Sequence, residues 1–304
     1  MASMSVLAII AALLLEQWRP LAERKNVAAA LRSLAAWLEQ SFNGGERRHG
    51  VVAWLVAVLP AVAGAIVLHA LLYAASPFLA LAFNVAALYL TLGFRQFSHH
   101  FTTIQLAIKS DDLERARAEL EAWRGASGVV RSREEVIRLA IEEALLASHR
   151  HVFGVLLWFV LLPGPSGAIL YRLAAYLAAR WKGMGPFGEF AQRAFYVLEW
   201  PAVRLTAASF AVVGDFEDAV YCWRTQAHAW PDPDGGIVLA AGAGAIGVRL
   251  GGPVQEIDGV NPRSELGVGE LPDGPFLDST VGLVWRALVV WVFVLIVMGV
   301  ALLV

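Results

Sequence analysis

The sequence predicts an all-α polytopic membrane protein: a transmembrane hairpin, a cytoplasmic helical hairpin, a broken or re-entrant helical hairpin and a C-terminal span. Three observations carry that expectation. Of 304 residues, 58% are hydrophobic and only 16% charged, with a mean hydropathy of +0.59, whereas soluble domains carry about 25% charged residues. Val51–Tyr73 and Val281–Val304 are apolar runs of the roughly 20 residues that cross a hydrocarbon core. Between them, an apolar run starting at Val152 breaks at Pro163-Gly164-Pro165 and resumes to Arg180. Proline removes a backbone donor and clashes with the preceding turn, so two short helices face each other across that turn. Irregular backbone at membrane depth survives only where protein or a watery cavity satisfies it.

The elements follow in order. Residues 1–50 read as N-terminal interfacial helices. Ser5–Leu15 is too short to span alone and lacks a basic leader or small-residue cleavage site, so it reads as mature structure; Trp18 and Arg19 suit the headgroup level. Leu31, Leu34, Ala35 and Leu38 form an amphipathic stripe. Residues 51–94 form the transmembrane hairpin, turning at Ser76-Pro77. Residues 95–150 change character, with nine Lys/Arg and nine Asp/Glu; they read as a soluble hairpin with Ser110 and Ser132 as N-caps and a turn at Gly125–Gly128. Residues 151–253 read as a broken-helix membrane core, with a mixed linker at Trp181–Trp200 and a short helix at Pro201–Val213. Residues 254–280 are acidic, rich in Gly and Pro, and read as a loop. Residues 281–304 close the chain as a span.

Lys and Arg crowd the flanks 19–50 and 95–150, while the 74–77 turn has none. The positive-inside rule therefore places both flanks in the cytoplasm of a multi-pass membrane protein. Net charge is −2, which argues against a nucleic-acid partner. The single cysteine, Cys222, excludes an intrachain disulfide and a cysteine-rich metal site.

Several motifs invite chemistry. Gly242-Ala-Gly244-Ala-Ile-Gly247 matches GxGxxG, but Pro253 follows within six residues and no ribose-binding acid stands in a suitable place; close helix packing explains the same letters. His99-His100 and His149-x-His151 could hold zinc if brought together, but lack the usual i, i+4 spacing with a carboxylate. No metal or cofactor is expected. The charges in apolar runs weigh more, because such charges are costly unless paired or functional. Arg172, Arg204 and Arg249 lie on three short elements, and guanidinium forks suit phosphate and carboxylate. They are read either as helix-end or paired structural charges or as one anion-binding cavity beside the 163–165 turn. Glu142 and Asp215 join them as candidate binding residues. The ligand would be an anionic or phosphorylated small molecule or a membrane lipid.

Residues 156–172 (LLWFVLLPGPSGAILYR), 197–207 (VLEWPAVRLTA) and 245–253 (AIGVRLGGP) resemble the CobD/CbiB family. The resemblance implies adenosylcobinamide-phosphate synthesis, in which an aminopropanol unit joins a corrinoid carboxylate as an amide. The N-terminal LLLEQWRPLAE and the single closing span are similar to the related AmpE proteins, inner-membrane accessories of β-lactamase regulation. Departures from the synthase pattern bear on the choice. Leu146, Ala147 and Arg150 stand where the pattern has Glu, Asn and Asp; Ala175, Ala178, Phe195, Tyr196 and Leu239 replace further polar positions. A nucleotide-driven amide condensation needs carboxylates to hold magnesium and move protons. The expectation is therefore a non-catalytic, AmpE-like binding or signalling protein with a membrane or cell-wall partner. The alternative is a working synthase with a rearranged site.

Overall fold

The computed structural model describes residues 2–18, 25–125, 132–256 and 259–301. In chain order the helices begin with α1 (Ala2–Trp18), α2 (Lys25–Phe42), α3 (Arg47–Ala75), α4 (Pro77–Thr91), α5 (Phe94–Lys109), α6 (Leu113–Arg124) and α7 (Arg133–Ser148). A π-helical turn at His149–Phe153 leads to α8 (Gly154–Leu161) and α9 (Ser166–Arg180). Then come α10 (Pro186–Val213), α11 (Phe216–Gln226) and α12 (Pro233–Ile246). Four short strands, β1 (Leu250–Gly251), β2 (Val254–Glu256), β3 (Gly259–Asn261) and β4 (Glu265–Leu266), precede α13 (Gly274–Ala301). This is an all-α polytopic membrane architecture. Arg47–Ala75, Arg133–Leu161 and Gly274–Gly299 are each long and apolar enough to cross a membrane. Arg19, residues 126–128 of the expected turn, and Ile257 and Asp258 of the acidic segment lie outside the described residues.

The chain divides into two compact units. The first comprises residues 1–92, 154–201 and 295–304. Its core gathers Leu38 of α2, Trp54 and Val58 of α3, Leu173 and Leu177 of α9, and Trp181 with Phe187. The α2 stripe supplies the helix's buried side: Ala35 and Leu38 are buried while Arg32, Ser33 and Trp37 are exposed. At 29 residues, α3 is about 43 Å long, ample for a hydrocarbon core of about 30 Å. Its Gly50 touches α10 so closely that a Cβ would collide with the Phe187 carbonyl. Ser76 ends α3 and caps α4, accepting from the Phe78 amide at 3.3 Å, with Pro77 in the first turn. Glu39 binds both Arg180, at 2.9 and 3.1 Å, and the Trp181 indole at 3.1 Å. The break at 163–165 is present between α8 and α9; Gly164 adopts φ +61° there, and Ser166 donates to the Pro163 carbonyl at 2.8 Å.

The second unit comprises residues 93–153 and 202–294. α12 is its centre, buried from Asp234 to Ala245. Glycines make that possible: a Cβ at Gly244 would lie 2.5 Å from the Asp218 carbonyl, and one at Gly242 would lie 2.8 Å from Leu145. The GxGxxG letters thus sit inside and at the end of a helix, Gly247 being its left-handed cap, not at the strand-to-helix turn that a dinucleotide needs.

Four expectations need correction. Residues 95–150 form three helices, α5, α6 and α7, rather than a two-helix hairpin, and the last continues through the π-turn instead of ending at Arg150. Ser110 does not cap α6; its hydroxyl donates to the Leu106 carbonyl at 3.0 Å, and Asp112 accepts from the Arg115 amide at 3.1 Å. Asp is as good a cap as Ser, and it stands directly before the helix. The division at Pro201 is absent, since α10 runs through it. Pro201 leaves the Val197 carbonyl without its helical donor, and the Trp158 indole donates at 3.0 Å to the neighbouring Leu198 carbonyl. The acidic stretch is not merely a loop: β1 pairs with β4 and β2 with β3, both antiparallel.

Candidate functional site

The second unit carries two adjoining polar features, both built from α7. Consecutive residues on a helix point about 100° apart, so Glu142 and Glu143 address different neighbours. Glu142 is buried at 4% exposure. One carboxylate oxygen accepts from the Gly251 amide at 2.8 Å and the other from Arg263 Nη1 at 2.8 Å. Arg263 also donates from Nε to the Gly252 carbonyl at 3.2 Å and lies 4.8 Å from the centre of the Trp230 ring. Arg138, one turn earlier on α7, donates to the Pro253 carbonyl at 3.1 Å. Leu250-Gly251-Gly252-Pro253 is therefore held against α7 by two arginines and a carboxylate. Gly251 and Gly252 adopt φ +73° and +77°, and a Cβ on Gly251 would strike the Ser264 carbonyl. Those glycines are needed for the backbone to come this near.

Glu143 faces a cavity of about 350 Å³, whose wall includes His100, Trp123, Ala147, Arg150 and His151. Glu143, Ala147, Arg150 and His151 recur along one face of α7 and its π-turn. His100 is oriented from two sides: its Nδ1 lies 2.6 Å from Glu119 Oε1, and its ring stacks on Trp123 at 5.9 Å. Arg150 Nη2 stands 3.5 Å from Asp232 Oδ2, just before α12. The cavity thus combines a carboxylate, a guanidinium and two imidazoles. A guanidinium can hold a phosphate or carboxylate, and a carboxylate or an oriented imidazole can accept a proton. Among the described residues no group of three or more His, Cys, Asp or Glu is arranged to hold a metal ion.

The candidate residues are placed as follows. Glu142 is committed to Arg263 and the Gly251 amide, which makes it structural support beside the cavity. Asp215 caps α11, accepting from the Asp218 amide at 3.0 Å. Arg204 lies 3.9 Å from the largely buried Asp234. Arg249 donates at 3.0 Å to the Gly269 carbonyl in an exposed setting. Arg172 is partly buried on α9 of the first unit. The two histidine pairs each send one member, His100 and His151, to a single cavity. Arg263 and Glu143 were missed as site residues. Arg263 did leave a trace, being the one cation among six carboxylates in residues 251–280.

The CobD/Cbib protein family model matches residues 7–275. The chain belongs to the CobD/CbiB family. It is 37% identical over 297 residues to the cobalamin biosynthesis protein CobD of Stutzerimonas stutzeri, covering 95% of this chain and 96% of that protein. It is 38% identical over 221 residues to the protein of the same name in Chromobacterium violaceum, covering 71% and 70% of the two chains. A CobD of Leptospira interrogans is 25% identical over 180 residues, 56% of each chain. No solved structure matches the chain. The expectation of a non-catalytic AmpE-like protein finds no support in these relatives, which carry the CobD name. Ala147 and Arg150, two of the positions singled out by the resemblance, both line the cavity.

Proposed function

We propose that the chain is an inner-membrane adenosylcobinamide-phosphate synthase of cobalamin biosynthesis, joining a corrinoid carboxylate to an aminopropanol unit. The supporting observation is the 37% identity with a cobalamin biosynthesis protein over 95% of this chain, far more than a shared membrane segment would give. Amide formation makes a C–N bond, breaks a carboxyl C–O bond and removes a proton from the amine. When a nucleotide activates the carboxylate, the departing oxygen leaves with phosphate. In this reading the cavity of the second unit supplies the polar groups. Arg150 holds the phosphate of the amino alcohol or the carboxylate. Glu143 receives the amine as an ammonium and takes one proton to free the attacking nitrogen; the second proton leaves with the departing phosphate as the C–N bond forms. His100, fixed by Glu119 and Trp123, completes the wall. The cationic Arg150 at an acidic position of the pattern is compatible with a rearranged site for an anionic or phosphorylated ligand.

The test is complementation of a synthase-deficient bacterium on medium without cobinamide. Growth that depends on the intact gene supports the reading. Absence of growth, with the protein present in the membrane fraction, overturns it and returns the AmpE-like binding role to first place.

A further inference from the structure

The first unit contains a cavity unrelated to the chemistry above. It has a volume of about 410 Å³, within the roughly 300–1,000 Å³ of small-molecule sites. Its lining includes Ile9, His69, Tyr73, Asn84, Leu161 and Met298, and the Pro163-Gly164 turn closes one side. Among the described residues, the polar side chains of the wall are those of Ser5, His69, Tyr73 and Asn84. His69 and Asn84 are 8% and 2% exposed. His69 Nδ1 and Asn84 Oδ1 have no hydrogen-bond partner among the described residues. A buried polar atom left unpaired is costly, and more so in a membrane core where no water competes.

The His69 ring is held from two sides. A Cβ on Gly164 would lie 2.5 Å from the His69 ring, so the turn presses on that ring. Tyr73, one turn further along α3, stacks on it at 6.3 Å. The two polar residues also share a depth. His69 lies seven residues before the Ser76 corner and Asn84 eight after it, about 10–12 Å down each helix. The hairpin thereby brings one donor-capable nitrogen and one acceptor oxygen to the same level of a hydrocarbon-lined space.

We propose that this cavity is an intramembrane binding site for an uncharged amphiphile that ends in a hydroxyl group. One hydroxyl answers both atoms: it donates to Asn84 Oδ1 and accepts from the His69 Nδ1–H tautomer. The remaining wall suits an alkyl chain. Among the described residues the lining holds no Lys, Arg, Asp or Glu, so a phosphate or carboxylate head would be buried unpaired, at high cost. Lipid alcohols, including neutral glycerides, have the required chemistry.

The experiment uses the full chain in phosphatidylcholine nanodiscs and a twelve-carbon primary alcohol with a mid-chain diazirine, the labelled peptides being mapped by mass spectrometry. Label is expected on the segments around residues 69–84 and 160–164. Dodecanol should compete roughly tenfold better than dodecane, the gain of two modest hydrogen bonds, and dodecyl phosphate should compete poorly. Asn84→Leu should cut labelling about threefold, the loss of one of the two hydrogen bonds, while raising thermal stability, because it removes a buried polar group without filling a structural role. Equal competition by dodecane and dodecanol, preference for dodecyl phosphate, or no label in those segments overturns the site. The competition series needs no variant, so it decides even where Asn84→Leu fails to fold.

Discussion

Arg263 places its Nη1 2.8 Å from Glu142 Oε2 across 121 residues of sequence, and this pair fastens the Gly-Gly-Pro ribbon to the helix that carries the cavity. Both side chains are largely buried, Arg263 at 11% and Glu142 at 6% exposure. Removing one member of such a pair strands the other, a loss of about 3–5 kcal/mol. Glu142→Ala and Arg263→Ala are each expected to lower the melting temperature of the purified protein. The double substitution Glu142→Ala with Arg263→Ala should cost less than the sum of the two single losses, since no charge is then stranded. Strict additivity of the two single losses would contradict the pairing.

Glu143→Gln tests the proton acceptor. It preserves size and hydrogen bonding but removes the base, so amide synthesis should fall by about 10²-fold or more with little change in melting temperature. Arg150→Lys should raise the KM for the phosphorylated amine more than it lowers kcat, because lysine keeps the charge and loses the bidentate fork. Unaltered kinetics in both variants would remove the cavity from the reaction.

Orientation is open to a direct measurement. Ala118 is exposed on α6, within the segment that the positive-inside rule assigns to the cytoplasm. A membrane-impermeant maleimide should fail to label Ala118→Cys in intact cells and succeed after permeabilisation. Labelling without permeabilisation would reverse the topology.

The native cysteine should not interfere. Cys222 is buried on α11, and burial, reinforced by nearby Asp218, pushes its thiol from an ordinary 9.0 up to about 11. Only about one thiol in a thousand is then ionised at pH 8, and the thiolate is the reactive form. Labelling of the folded protein should stay slow until the pH approaches 11. The sign for stability follows from the raised value. The unfolded chain ionises first, so this contribution is complete below about pH 9 and is lost as the pH rises through about 11. Fast labelling at pH 8 would show that α11 opens.

Gly244→Ala probes the packing of α12. The new methyl would lie 2.5 Å from the Asp218 carbonyl, a backbone atom that cannot swing aside. Overpacking of this kind costs about 1–3 kcal/mol, and the variant should melt earlier. A variant as stable as the parent would mean that α11 and α12 sit further apart.

Features that depend on neighbours in the chain were legible from the residues alone. Apolar run length yields α3 and α13, proline and glycine yield the break between α8 and α9, and Ser132 caps α7, accepting from the Glu135 amide at 3.1 Å. The motifs that carry the family resemblance were legible too. The tertiary structure alone decided the pairings. Glu142 looked like a free candidate acid, but its partners Gly251 and Arg263 come from more than 100 residues away. Pro201 looked like a boundary, yet a tryptophan from another helix attends the disrupted turn. His100 and His151 looked like separate pairs until α5 and α7 packed together and gave them one cavity with Glu143 and Arg150. Local pattern reports which backbone a residue favours. A buried charge's partner is set by which distant segments the closed chain brings within hydrogen-bonding range, and no spacing along the sequence encodes that distance.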